Sequence, residues 1–381
     1  MYKAYKFRLY PNKEQETLIN KTFGCSRFIY NYFLSICKEN NKYIKAFDMC
    51  KEIKILVETY SWLKEVDSCA LRCAAFNLED SFKNFFTKRN RYPVFKSRFS
   101  KQRYRTNSIK SVYKGHEYNN IKVDLKSKLI TLPKLGEIKI RGYRNLNYID
   151  GKIINATIER ETTGKYYVSV IYEVKEIITE EVNASSIVGI DLGIKSLVTL
   201  SDGRKYEIDK RIKEKEKRIK RIQKKLSRQI RGSNKYNITR KRLAILHKKI
   251  QNTRKHNIIN ITNEIVSSYD VVVSEKLNVK EMMQNHRLAS QVSDASFNKI
   301  CGMLEWKCKL LGKYYYQVDT YYPSSKTCTH CGNKTDITNN LNIRKWECPK
   351  CHNENDRDIN ASLNIMFEGL KIHYKYLQYN N

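Results

Sequence analysis

The chain has 381 residues, 41% of them apolar and only five prolines, which is enough for two or three compact domains and excludes a disordered polypeptide. Its 73 Lys and Arg against 39 Asp and Glu leave a formal charge of +34, costly in self-repulsion unless a polyanion neutralises it, so nucleic acid is the first partner to expect. There is no apolar run of about 18 residues, the opening "MYKAYKFRLYPNKEQ" lacks the apolar core of a secretory signal, and no isolated basic amphipathic tail stands out, so the expectation is an intracellular protein with no membrane partner.

"YKAYKFRLYP" reads as a strand ended by Pro11 and Asn12. Two helices follow. "KEQETLINKTFGCSRFIYNYFLSIC" has an apolar side, and "SCALRCAAFNLEDSFKNFF" is cleaner, with Leu71, Ala75, Leu78, Phe82 and Phe85 stepping by helical intervals. From Arg89 to about Val182 short alternating segments such as "LITLP", "EIKIRGY" and "KYYVSVIYEV" predict an antiparallel sheet or small barrel. That region begins with "KRNRYPVFKSRFSKQRYRTNS", where cations interleave with aromatics in the manner of phosphate contact plus base stacking; a solvated edge with buried aromatics is the alternative.

"SSIVGIDLGIKSLVTLSDGRKYEI" predicts a β-hairpin opening the second half. Residues 210 to 256 carry 20 Lys or Arg against only Glu214 and Glu216, with Ile and Leu at helical spacing, which predicts two basic helices broken near "RGSNK". A plain solvated hairpin would not need charges so nearly of one sign, so Lys224, Lys225 and Arg228 are candidate nucleic-acid contacts. "DVVVSEKLNV" is a buried strand delivering Glu275, a helix and the strand "KYYYQVDTYY" follow, and "DINASLNIMFEGL" is a helix near the chain's end.

Cys328, Cys331, Cys348 and Cys351 form C-x2-C-x16-C-x2-C, the spacing of a tetrahedral thiolate site, here read as a structural zinc ribbon. Four thiolates close the coordination, so this metal stabilises rather than catalyses; His330 and His352 are weaker alternatives as ligands. Asp191 interrupts the apolar strand "IVGIDLG", Glu275 ends "VVVSE", and Asp358 stands in the first turn of the last helix. Each has an ordinary alternative, a helix N-cap for Asp358 and a salt bridge for Glu275. Together they form an oxygen ligand set suited to hard divalent cations and two-metal phosphodiester hydrolysis.

"GIDLGIKSLVTLSDG", "VSEKLNVKEMMQNHRLASQVSDASF", "YYPSSKTCTHCG" with "WECPKC", and "DRDINASLNI" together resemble the TnpB (OrfB) family of insertion sequences, relatives of the type V CRISPR effectors. The N-terminal "YKFRLYPNKEQETLINKTFGCSRFIYNYFL" and "SFKNFFTKRNRYPVFKSR" match as well. The resemblance implies an α/β multidomain protein: a β-barrel wedge domain (1–10 and 89–182), an inserted helical recognition domain (11–88), a RuvC-like nuclease of the RNase H fold (183–320 and 355–381) and an inserted zinc ribbon (321–354). It further implies a guide non-coding RNA, cleavage of double-stranded DNA beside a short motif read by the protein, and Mg2+, two ions, on Asp191, Glu275 and Asp358. The expected setting is prokaryotic cytoplasm, with nucleoid association when bound to DNA. Arg72, Tyr104, Arg105 and Asn107 are candidate DNA-motif contacts, and Arg357 a candidate phosphate contact. Lys276 stands where the family usually has aspartate, and "NASLN" replaces the common run with two alanines; neither removes a ligand. A nuclease-inactive RNA-guided repressor and a DNA transposase are the competing functions, and retention of all three acids disfavours the first.

Overall fold

The computed structural model describes residues 1–113, 116–142, 148–174, 182–284, 296–340 and 343–380. The stretch of the resemblance motif from 285 to 295 lies outside them, as does most of the junction near 182. Two compact units divide the chain, residues 1–176 and 177–381.

The first unit opens with strand β1 (Tyr2–Tyr10) and helix α1 (Lys13–Glu39). Asn12 and Gln15 cap the helix reciprocally, each side chain accepting the other's backbone N–H at 2.8 and 3.0 Å, so the turn after Pro11 becomes a helix start. Helices α2 (Ala46–Thr59) and α3 (Ser68–Phe86) pack with α1 around Phe33, Leu34, Met49, Leu71 and Leu78, all fully buried. Leu71, Ala75, Leu78 and Phe82 of the α3 stripe are therefore core, while Phe85 is half-buried; α2, which has no side-chain cap bond, is a helix the sequence reading did not resolve.

Strands β2 (Gln102–Asn107), β3 (Lys110–Tyr113), β4 (His116–Asn119), β5 (Lys122–Asp124), β6 (Leu129–Leu132), β7 (Gly136–Arg141), β8 (Lys152–Arg160) and β9 (Tyr166–Glu173) complete this unit. Seven of the nine make one antiparallel sheet in the order β2-β8-β9-β1-β7-β6-β5, and β3 pairs with β4 apart from it. Closure between β2 and β5 is not among the described pairings. β1 sits centrally because its alternate residues Phe7 and Leu9 join the sheet core, which ties the N-terminus to strands more than a hundred residues later.

The second unit is built on strands β10 (Ile187–Asp191), β11 (Val198–Leu200), β12 (Lys205–Tyr206), β13 (Val271–Glu275) and β14 (Tyr314–Val318), in the order β12-β11-β10-β13-β14. β12, β11 and β10 pair antiparallel, whereas β10, β13 and β14 run parallel. Val271, Val272, Val273 and Ser274 are all buried, the continuous pattern of a strand covered on both faces. Helices α4 (Lys210–Ser227), α5 (Asn234–Ser268), α6 (Val279–Met282), α7 (Phe297–Leu310) and α8 (Arg357–Asn380) surround the sheet, and β15 (Lys345–Glu347) pairs with β16 (Glu354–Asp356) beside the cysteine pairs.

α8 lies unusually close to the sheet. A Cβ on Gly189 would run into the backbone oxygen of Ser362, and one on Gly369 into the Val273 side chain. These two glycines let α8 pass against β10 at backbone contact and against the Val273 side chain of β13.

Candidate functional site

β10 and β13 are parallel neighbours with Ile190 opposite Ser274, so Asp191 and Glu275 fall together at the carboxyl ends of adjacent strands. That is where ligand crevices form in open α/β sheets. Asp358, in the first turn of α8, comes to the same place: desolvation, then the charges of Glu275 and Asp358, push the Asp191 carboxyl well above the usual carboxylate range. Arg357 and Arg344 pull the other way. Burial raises Glu275 to about 7, partly offset by the Leu192 N–H that its Oε1 accepts at 3.2 Å. Asp191 and Glu275, desolvated and with the Asp358 charge near Asp191, favour protons or cations.

The neighbouring acids separate by partner. Asp356, not Asp358, caps α8: its Oδ1 accepts the N–H groups of Asp358 and Ile359 at 3.1 Å, and Lys205 Nζ grips both its oxygens at 2.8 and 2.9 Å. The N-cap alternative for Asp358 is therefore corrected, because the capping position is already taken. Asp358 instead holds Arg344, whose guanidinium reaches Oδ1 at 2.8 Å. Arg357 turns one guanidinium nitrogen to the Asn340 carbonyl at 3.1 Å, and Lys276 is exposed.

The cysteines converge more tightly. Their four sulfurs lie within 4.8 Å of one another, with Cys328 to Cys351 at 3.7 Å and Cys331 to Cys348 at 3.6 Å. The two knuckles repeat one backbone pattern: the N–H groups of Cys328 and Cys348 donate to Asn333 and Asn353, while Gly332 and His352 donate back to Cys328 and Cys348. Gly332 and His352 hold equivalent left-handed positions, φ 70° and 57°. His352 is thus a turn residue, its ring on Glu347 at 2.8 Å, and not a ligand. Desolvation pushes the Cys348 thiol up, but N–H donors of Cys351 and Lys350 and the nearby sulfurs outweigh it and lower the group. At Cys351 the Asn353 N–H lowers the thiol, but desolvation and the same sulfurs raise it to about 12, so the cluster shares its protons unevenly. Four gathered sulfurs with this backbone support fit one zinc ion.

The nucleic-acid candidates are scattered. Lys224, Lys225 and Arg228 are exposed at the far end of the α4–α5 hairpin, whose seam is Ile212, Ile219, Leu246 and Ile250. Arg72 and Asn107 are exposed and Arg105 is half-buried. The Asn107 backbone N–H and side-chain oxygen are taken up by Cys69 and Cys73 of α3. Tyr104 is 5% exposed and packs edge-on against Phe23, which corrects its reading as a stacking ring: an enclosed ring offers no face to a base. Arg344, Lys205, Asn360 and Asn364 escaped the sequence reading. For the two asparagines a signal existed, since amides four residues apart recur on the buried side of α8.

Family models match three parts of the chain: one described as "Probable transposase" over residues 169–286, a "Cas12f1-like, TNB domain" over 297–365, and a "Helix-turn-helix domain" over 1–43. In this chain the last span forms one strand and one continuous helix. A Streptomyces pristinaespiralis protein named "Putative RNA-guided DNA endonuclease" is 33% identical over 376 residues, spanning 97% of this chain and 89% of the relative. "Putative RNA-guided DNA endonuclease InsQ" of Escherichia coli K12 is 30% identical over 388 residues, 96% of this chain and 92% of that one. The chain belongs to the TnpB (OrfB) family. Its fold resembles the protein in a cryo-EM structure of a Cas12f1–sgRNA–target DNA complex, with TM-score 0.59 at 15% identity, covering 96% of this chain and 98% of that one. Among the described residues no helix is long and apolar enough to cross a membrane.

Proposed function

We propose that this chain is an RNA-guided, Mg2+-dependent DNA endonuclease that cuts guide-matched double-stranded DNA beside a short motif read by the protein. The observation that carries the reading is the acid trio: desolvated Asp191 and Glu275 at adjacent parallel strand ends, with the Asp358 charge brought to them by α8. Such a cluster is costly unless cations or protons neutralise it, and its all-oxygen donor set suits Mg2+. The strand order β12-β11-β10-β13-β14, antiparallel then parallel, supports a RuvC-like nuclease of the RNase H fold. The names of the relatives support guidance by RNA.

On this reading Asp191, Glu275 and Asp358 hold two Mg2+ ions. When bound, the ions supply activation of water and stabilisation of the departing oxygen. The protein's own share is placement. The sheet fixes Asp191 and Glu275, Leu192 N–H orients the Glu275 carboxylate, and α8 presents Asp358. Arg344 and Arg357 offset the negative charge around Asp191, and on this reading they also meet a phosphate. On the same reading the zinc ribbon (321–354) is structural, the nuclease comprises 183–320 and 355–381, and a wedge (1–10, 89–182) and a recognition part (11–88) precede it. The exposed face of the α4–α5 hairpin contacts the backbone of the guide RNA or its DNA hybrid. The work is done in the prokaryotic cytoplasm, at the nucleoid when DNA is bound.

The protein, purified with its co-expressed RNA, should cleave matching DNA in Mg2+, and Asp191→Ala should not. Equal cleavage by both, or none by either under any flanking motif, would overturn the reading. Binding without cleavage would favour a nuclease-inactive repressor, and strand transfer without RNA would favour a transposase.

A further inference from the structure

Asn360 and Asn364 stand one turn apart on α8, 2% and 5% exposed, and reach into the first cysteine knuckle. Asn364 Nδ2 donates to the carbonyls of Ser324 and Thr327 at 2.8 and 2.7 Å. Asn360 Nδ2 donates to the Thr327 carbonyl at 2.8 Å and to Ser324 at 3.5 Å, while its Oδ1 accepts the N–H and hydroxyl of Thr329 at 3.0 and 3.1 Å. The residues held, Thr327 and Thr329, flank Cys328. Asn355 Nδ2 adds a contact to the Cys328 sulfur itself at 3.8 Å.

The two buried amides satisfy the Ser324 and Thr327 carbonyls and the Thr329 N–H, which apolar side chains in the same place would leave unpaired. What a satisfied amide ladder adds is a single register and rotation. The close glycine contacts of α8 with the sheet involve Ser362, Met366 and Gly369, all beyond Asn360. The turn that carries Asp358 lies ahead of them: Asp356, gripped by Lys205 of β12, caps it, and the ribbon holds it through Asn360 and through the Arg344 carbonyl, which accepts the Arg357 N–H at 2.8 Å.

We propose that Asn360 and Asn364 are positioning residues that transmit metal occupancy of the cysteine site to the carboxylate of Asp358. A loaded knuckle is rigid around Cys328, the amides copy that rigidity onto the first turn of α8, and Asp358 is thereby set against Asp191 and Glu275. Loss of the cysteine-bound metal frees the turn and weakens divalent-cation binding at the acids. The inference rests on the reading of the acid trio as a cation site, and displacements of about 1 Å at such a site are enough to matter.

The test uses the full-length protein, with zinc content by elemental analysis and Mn2+ affinity by electron paramagnetic resonance as the probe. Wild type should bind Mn2+ in a manner abolished by Asp191→Ala, and stripping zinc with an organomercurial should weaken that binding about tenfold. N360A, and the milder single variant N364A, should each keep one zinc per chain yet bind Mn2+ as weakly as the stripped wild type, with little further loss on stripping. Unchanged Mn2+ affinity in both zinc-loaded variants would overturn the proposal, as would weakening that appears only together with zinc loss. If wild-type Mn2+ binding does not depend on Asp191, the cation reading itself fails and takes the proposal with it, an outcome distinct from the other two.

Discussion

The cysteine quartet and the acid trio occupy the same unit, yet they converge to different degrees. The four sulfurs gather within 4.8 Å of one another. The carboxyls do not close up this way: Asp358 is drawn to Arg344 and Glu275 to the Leu192 N–H. Thiols repel one another little, so the knuckles gather them with backbone bonds and a few amide contacts. Carboxylates in a desolvated place repel, so their scaffold can bring them near, and countercharge must complete the arrangement. The cysteines are thus gathered by their own loops, while the acids come from three separate elements and sit among Arg344, Arg357 and the Leu192 N–H.

The sharpest way to break this contrast is to remove one acid. Asp191→Ala should lower the cleavage rate by roughly 10^4-fold or more, since residues acting as one unit lose nearly everything together; a loss under tenfold in single-turnover cleavage would detach the acids from the chemistry. Next in size, Cys348→Ser should release the metal and destabilise the second unit by several kcal/mol, because metal binding energy is folding energy in such sites. Unchanged zinc content and unchanged melting would refute the ribbon assignment.

The pH dependence probes the acids without mutation. Glu275 titrates at about 7 in the folded chain and Asp191 is also raised, so between the ordinary carboxylate range and about 7 the folded state holds protons that the unfolded chain has released. Metal-free stability should therefore fall as pH rises through that window. Added Mg2+ takes the place of those protons, so the gain in Tm it gives should grow from pH 5 to 8 and be small in Glu275→Ala. A gain independent of pH would count against cation binding at the trio.

Reversing charge at Lys224, Lys225 and Arg228 leaves both metal sites intact and should flatten the salt dependence of RNA binding by about two to three units of log–log slope. An unaltered slope would remove the hairpin from the interface. The smallest effect is expected from Asp356→Ala, which loses a helix cap and a part-exposed ion pair: about 1 kcal/mol in stability and a reduced but measurable cleavage rate, against abolition in Asp358→Ala. Equal loss in the two variants would erase the division of roles between them.

Periodicity and spacing alone made much of this molecule legible. The stripe of α3, the basic helices broken near residue 230, the strand "VVVSE" and the cysteine quartet all stand where a reader of the sequence would put them. Local signals sufficed there, because a 3.6-residue repeat, a buried apolar run and a C-x2-C pair each constrain backbone a few residues away. Tyr104 defeated the same logic: an aromatic among cations looks like a stacking ring, and only the packing of Phe23 against it shows that it is core.

The sequence by itself determined the donor chemistry on offer, thiols in one cluster and carboxyls in the other, since side-chain type is written residue by residue. Tertiary structure alone decided which acid caps α8 and which faces the cluster, that Arg344 answers Asp358, and that two asparagines bind the helix to the cysteine knuckle. Those partners come from separate elements whose approach depends on sheet order and on the close passage of α8 over Gly189. Long-range proximity of that kind has no local signature, because it arises from how the elements pack.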